Sequence, residues 1–262
     1  MNYTTLLFDV KDHVACITLN RPEALNAINL EWSWDLMHAI LRCDEDPSVR
    51  AVIITGAGDH FCAGGDLKSF TSQAKDLPFH LKEVTTYLHA AISRMTRMNA
   101  PVISAVNGYA VGAGMSLALA CDFVLAGQSS LFSVAYTRVG LTPDGSMSYF
   151  LPRTIGLKRA IELTLTNRML TAEEAFQLGI VTRVVPDKEL LTQANQLALQ
   201  LASGPSKSFG AAKRLMQTGW NQTLETQMEE ESQMIADITR TTDTLEGIRA
   251  FIEKRPPKYK GE

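Results

Sequence analysis

The sequence predicts an α/β fold with a helical C-terminal region. Three observations predict it. Short apolar runs read as buried strands, stretches with apolar residues at helical spacing lie between them, and a polar, methionine-rich helical pattern runs from about residue 206 to Lys254. The 262 residues suffice for one large domain or a domain with an appendage. Gly204-Pro205 divides a core, 1–203, from a C-terminal region, 204–262.

Residues 5–10 and 13–19 read as two strands around the turn Lys11-Asp12. Leu30, Trp34, Met37, Ile40 and Leu41 place a helix over 30–43. AVIIT (51–55) reads as a buried strand, followed by a polar, glycine-rich loop (56–66) and a long helix over 79–98. PVISAV (101–106) is a second buried strand, with Pro101 at its first position, where a missing N–H is tolerated. A glycine turn leads into a small-residue helix over 112–120, then strands over 122–127 and 130–134. Beyond the Pro143-Asp144-Gly145 loop the chain turns mostly helical. Thr171 and Glu174 form a capping box, Gly179 closes that helix, and 180–185 is a last strand. Met216, Met228 and Met234 are expected in the core or in subunit contacts.

Composition excludes several classes. The chain is 45% hydrophobic, and 25 Lys+Arg against 28 Asp+Glu leave a net charge of −3, without the basic footprint of a nucleic-acid binder or a polybasic membrane surface. Four cysteines, at 16, 43, 62 and 121, make no disulfide framework and point to a reducing, cytoplasmic setting. The charge-free stretch 98–121 contains Asn99, Pro101, Asn107 and three glycines, so it reads as core and no membrane span is expected. Neither MNYTTLLFDV nor KYKGE reads as a targeting signal. There is no G-x-G-x-x-G after a strand and no Walker A loop. The histidines, at 13, 38, 60, 80 and 89, are scattered, and no metal site is expected. GMSLA (114–118) has the shape of a nucleophile elbow, but that chemistry needs a histidine after the serine, and the last histidine is His89.

Two segments remain. FCAGGDL (61–67) and NGYAVGAGMSLALACD (107–122) each place small residues just after a buried strand. Small residues let a ligand approach the backbone, and a helix start presents unpaired N–H groups. Two such groups aimed at one point would make an oxyanion hole. Close packing of strand against helix selects the same residues, and spacing alone leaves both readings open.

These segments, with LNRPEALNAI (19–28) and LTAEEAFQLGIVTRVV (170–185), resemble the crotonase, or enoyl-CoA hydratase/isomerase, superfamily from about residue 5 to the terminal FIEKRPPKYKG. The resemblance implies a spiral of ββα turns, a helical C-terminal trimerisation region, and a homotrimer or dimer of trimers. It implies an acyl-CoA thioester as substrate, with coenzyme A as part of that substrate and no separate cofactor. It further implies that Gly65 and Ala113 donate their backbone N–H groups to the thioester oxygen. Such a hole stabilises the enolate left when the α-proton is removed, and one donor is worth about 3–4 kcal/mol.

The side chains around the hole would choose the reaction. Hydratases of the family use two glutamates, and the matching positions here are Ser116 and Tyr136. Neither is a ready base at neutral pH. Asp144, in GLTPDGSMSYFLPR (140–153), resembles the acidic residue of the Δ3,Δ2-enoyl-CoA isomerase and epoxyphenylacetyl-CoA isomerase branches. One carboxylate suffices for a 1,3-proton shift. Read without the family, Pro-Asp-Gly is an ordinary turn. Ser116 and Tyr136 are then pocket residues, and the resemblance points to Ala24, Ala63, Asp66 and Leu67 for coenzyme A, largely through backbone contacts. Glu23 stands where members often carry a basic residue, and Phe251 and Lys254 would reach the nucleotide end, from this or a neighbouring subunit. Asp66 also suits a cap for a helix starting at Leu67, Asp122 a structural role, Glu162 a solvent or paired position, and Phe132 the core. An enoyl-CoA isomerase is the leading expectation. Hydration, thioester hydrolysis and a non-catalytic acyl-CoA-binding scaffold are the alternatives.

Overall fold

The structure is a computed structural model and describes residues 2–72 and 74–262. A six-stranded sheet has the order β1-β2-β3-β4-β6-β9: Leu6–Lys11, Val14–Leu19, Ala51–Gly56, Val102–Val106, Phe123–Gly127 and Arg183–Val185. β1 and β2 form an antiparallel hairpin, and every later pairing is parallel. Parallel strands are covered on both faces, so β3 and β4 are buried nearly throughout, which is why they read as unbroken apolar runs. A second sheet joins β5 (Tyr109–Val111), β7 (Leu131–Ser133) and β8 (Leu170–Thr171).

Helices cover both faces. α1 (Leu30–Glu45) starts where the Asn29 side chain accepts from the Trp32 N–H, and it packs with α3 (Leu77–Met95) over one face. The short α2 (Leu67–Ser72) precedes α3. On the other face Leu190, Ala194, Ala198 and Ala202 of α8 (Leu190–Ala202) meet Ile53, Ile103 and Leu125. α4 (Ala113–Ala120) is buried on every side, matching its uniformly small and apolar sequence. α5 (Met147–Ile155), α6 (Leu157–Thr166) and α7 (Ala172–Gln177) follow, the last with the expected capping box at Thr171 and Glu174. α9 (Ser206–Thr218), α10 (Leu224–Ile238) and α11 (Thr242–Ile252) make the C-terminal region helical. No helix among the described residues is long and apolar enough to cross a membrane.

Several local expectations shift. The helix expected over 79–98 runs from Leu77 to Met95. The last strand covers only Arg183–Val185, because the amides of Ile180 and Val181 both donate to the carbonyl of Ala175 and extend the end of α7. β5 forms inside the glycine turn, where its partner β7 is far away in sequence. The core alternative for the methionines does not hold within this chain: Met216 and Met228 are exposed. Phe132 is fully buried, and Glu162 is an exposed partner of Arg168 at 3.7 Å. Asp122 is structural: it accepts from the Val102 N–H at 2.8 Å and pairs with Lys213 at 2.6 Å.

Candidate active site

The site forms beyond the carboxyl ends of β3 and β4, the place where open α/β sheets present loops. Parallel bridges Ile28↔Gly65 and Cys62↔Ala110 tie the loop after β3 to its neighbours. Buried Asn26 braces it from below, accepting from the Arg21 N–H and donating to the carbonyls of Ala57 and His60. Two glycines are required here. Gly64 has φ +98, and an added Cβ would sit 2.9 Å from the Val111 carbonyl oxygen. Gly112 has φ 55 and ψ −125, a conformation closed to L side chains. A Cβ on either would lie 3.6 Å from the other's Cα.

This close passage puts the following residues, Gly65 and Ala113, on one cavity wall. Among the described residues neither N–H donates to a protein acceptor, although the adjacent Asp66 and Gly112 amides do. Ala113 keeps a negative φ, so its methyl group costs the backbone nothing. The cavity measures about 420 Å³ and also contains Asp144. Phe70, Leu81, Val84, Leu88 and Leu141 make most of the remaining wall apolar. Two free amides at an apolar cavity, one of them the first residue of a buried helix, can hold a developing oxyanion.

Ser116 and Tyr136 face Asp144 through its backbone. Ser116 Oγ lies 2.8 Å from Tyr136 Oη, and both hydroxyls reach the Asp144 carbonyl oxygen, at 2.8 and 2.9 Å. Burial pushes the Tyr136 phenol well above its usual range, so it stays protonated and serves as a donor. Positions 116 and 136 thus carry hydroxyls, not acids, and hold the loop that presents Asp144.

The Asp144 carboxylate has a partner that the sequence reading passed over. Its Oδ1 lies 2.7 Å from His89 Nε2 on α3, with His89 half-exposed and Asp144 31% exposed. The hydrogen bond to Asp144 raises the His89 pKa against the opposing pull of burial. The two residues are 55 apart in the chain, and no local sequence signal links them.

The coenzyme A candidates fall into two groups. Ala63 and Leu67 line the cavity, and Ala24 ends a short 3₁₀ turn that is brought close to them, the Ala63 N–H donating to the carbonyl of Leu25. Asp66 caps α2 through the Ser69 N–H at 3.0 Å and pairs with Arg21 at 2.9 Å. Burial alone would raise its carboxyl, but the Ser69 N–H and Arg21 hold it below the usual range. Phe251 and Lys254 are exposed at the end of α11, and neither lines this cavity. Cys62, beneath α4, is pushed up to about 12 by burial and is no nucleophile. Among the described residues no group of three or more His, Cys, Asp or Glu side chains converges as metal ligands would.

A doubly covered α/β sheet with paired free amides over an apolar cavity is an arrangement that can stabilise a carbonyl oxyanion. The sequence profile of enoyl-CoA hydratase/isomerase matches residues 9–262, and the chain belongs to that family. It is 38% identical over 261 residues, 100% of both chains, to a Rhodobacter capsulatus protein named probable enoyl-CoA hydratase. It is 37% identical, over 98% of both chains, to the 1,2-epoxyphenylacetyl-CoA isomerase of Escherichia coli. A 4-chlorobenzoyl coenzyme A dehalogenase of Arthrobacter is 36% identical over 86% of this chain and 82% of its own. The crystal structure of an enoyl-CoA hydratase from Bacillus anthracis superposes with a TM-score of 0.92 at 35% identity, covering 99% of this chain and all of that one. The crotonase fold expected from the sequence is therefore the fold of this chain.

Proposed function

We propose that the protein is an enoyl-CoA isomerase that shifts a double bond in an acyl-CoA thioester. The Asp144 carboxylate removes a proton from C2 of a 3-enoyl thioester. The electron pair moves toward the thioester oxygen, which the Gly65 and Ala113 amides stabilise. The carboxyl then returns the proton at C4, and the trans-2-enoyl thioester is released. The observation that carries this reading is a carboxylate on the wall of the same apolar cavity as the two free amides. The site also weighs against hydration: Ser116 and Tyr136, whose hydroxyls lie against each other and against the Asp144 carbonyl, supply no pair of bases.

The same reading takes coenzyme A through Ala24, Ala63, Asp66 and Leu67, with Phe251 and Lys254 serving the nucleotide end across a subunit boundary. A homotrimer or dimer of trimers would cover the exposed Met216, Ile235, Leu245 and Ile252 of the C-terminal helices. Free thiols at Cys16, Cys43, Cys62 and Cys121 suit a reducing cytoplasm.

A second reading is favoured by the His89–Asp144 pair. A carboxylate beside an imidazole can serve hydrolytic loss of halide from an aryl thioester, with Asp144 as nucleophile and His89 as the base for water. A panel of 3-enoyl, trans-2-enoyl and 4-chlorobenzoyl thioesters, assayed with wild type and Asp144→Ala, tests both. The expected result is conversion of 3-enoyl-CoA to trans-2-enoyl-CoA, abolished in Asp144→Ala while thioester binding is nearly intact. Unchanged turnover in Asp144→Ala would refute the role of Asp144, and halide release without isomerisation would select the second reading.

A further inference from the structure

Behind Asp144, separate from the acyl cavity, lies a second cavity of about 610 Å³. No residue lines both. His89 connects them, since it lines the second cavity while its Nε2 meets Asp144 on the wall of the first. His89, Ser93 and Arg97 follow at four-residue spacing and share one face leading into this chamber. Arg97 Nη1 donates to Ser93 Oγ at 2.8 Å, which carries its guanidinium back along the helix toward His89. Arg214 of α9 enters from the other side, where its Nη1 donates to the Arg97 carbonyl at 2.8 Å and to Asn99 Oδ1 at 3.1 Å. Neither arginine has a carboxylate within ion-pairing distance among the described residues, and no acidic side chain lines the chamber. Tyr149 of α5 and Asn221 add polar groups. The charged and titratable groups around His89 are therefore Asp144, bonded to its Nε2, and, lining the same chamber, Arg97 from the turn after α3, Arg214 from α9 and Tyr149 from α5.

We propose that this chamber binds a small oxyanion of the phosphate class between Arg97, Arg214 and the imidazolium of His89. Arg214 is half-buried and Arg97 is exposed, and their side-chain hydrogen bonds go only to neutral acceptors; such guanidinium groups favour a multivalent oxygen anion, because its several acceptors satisfy more donors than chloride can. Binding there would hold His89 protonated and tighten its grip on Asp144, so the chamber would report on the state of the acyl site without touching substrate.

Isothermal titration of the full chain with inorganic phosphate, at constant ionic strength set with chloride, tests the proposal. The expected result is one site per chain, weakened about tenfold or more in Arg97→Gln and in Arg214→Gln. Phosphate should also raise the pH at which the His89 imidazole titrates by NMR. Arg97→Gln keeps the test decisive if Arg214→Gln fails to fold, because Arg97 is bound only to a surface serine through its side chain. Phosphate heats equal in wild type and Arg97→Gln, a His89 titration that phosphate does not move, or phosphate that is displaced by coenzyme A one for one would each overturn it. The last outcome would place the anion at the nucleotide end of the acyl-CoA site instead.

Discussion

Ser116 and Tyr136 are best separated by a double-mutant cycle. Both hydroxyls reach the Asp144 carbonyl, at 2.8 and 2.9 Å, and they lie 2.8 Å from each other. Tyr136→Phe leaves Ser116 on that carbonyl and should cost about 1 kcal/mol, the net worth of one hydrogen bond. Ser116→Ala removes a fully buried hydroxyl but leaves Tyr136 in place, and should cost about 1–2 kcal/mol. In the double variant the carbonyl loses both donors, so the loss should exceed the sum by roughly 0.5–1 kcal/mol. Chemical denaturation measures these differences. In a thermal scan each kcal/mol is worth about 2–4 °C for a chain of this size. Because the carbonyl belongs to the residue proposed as the proton shuttle, kcat on a 3-enoyl thioester should fall in the same order while binding of the thioester changes little. Additive stability losses would refute the shared-carbonyl argument. A double variant with wild-type kcat would refute the claim that these hydroxyls position Asp144.

Gly112→Ala should cost about 1–3 kcal/mol and most of the turnover. A Cβ there meets nothing closer than 3.6 Å, so the penalty is conformational and falls on the amide of Ala113; a variant with full activity would show that this amide is not part of the hole. His89 titrates higher in the folded chain than in the unfolded one, so its contribution is complete below about pH 6.5 and is lost as pH rises through the raised value. The melting-temperature gap between wild type and His89→Gln should therefore narrow from pH 6 to pH 8 (roughly the window of histidine titration), and a gap that widens would contradict the pairing. Lys213→Met should destabilise by about 3–5 kcal/mol in urea, since it leaves the carboxylate of Asp122 buried without its cation. Burial already pushes Asp122 up against the pull of Lys213, so part of that loss should be recovered at low pH. A loss below about 1 kcal/mol would show that the pair is solvated.

Much of the fold was legible because it rests on local chemistry. β3 and β4 read as continuous apolar runs since parallel strands are covered on both faces. The capping box at Thr171 and Glu174 is a four-residue signal, and it is satisfied in the structure through both halves. β5 was not legible, because three residues with an edge position pair with β7 some twenty residues later. The end of α7 was misread for a related reason: Ile180 and Val181 look like strand residues, but their amides are taken by Ala175 before the sheet can use them.

The residues of the site divide the same way. Amino-acid order alone determined the glycine-rich turns after two buried strands, the absence of acids at 116 and 136, and a carboxylate at 144, because each is a property of a short segment. Tertiary structure decided that Gly64 and Gly112 pass closely enough to set two amides on one wall, and that Ser116 and Tyr136 brace the Asp144 backbone. It also decided that a histidine 55 residues away meets that carboxylate. Contacts of that range depend on how α3 lies against the loop after β7, and helix packing of this kind is set by the summed shape of many side chains, which no local pattern encodes.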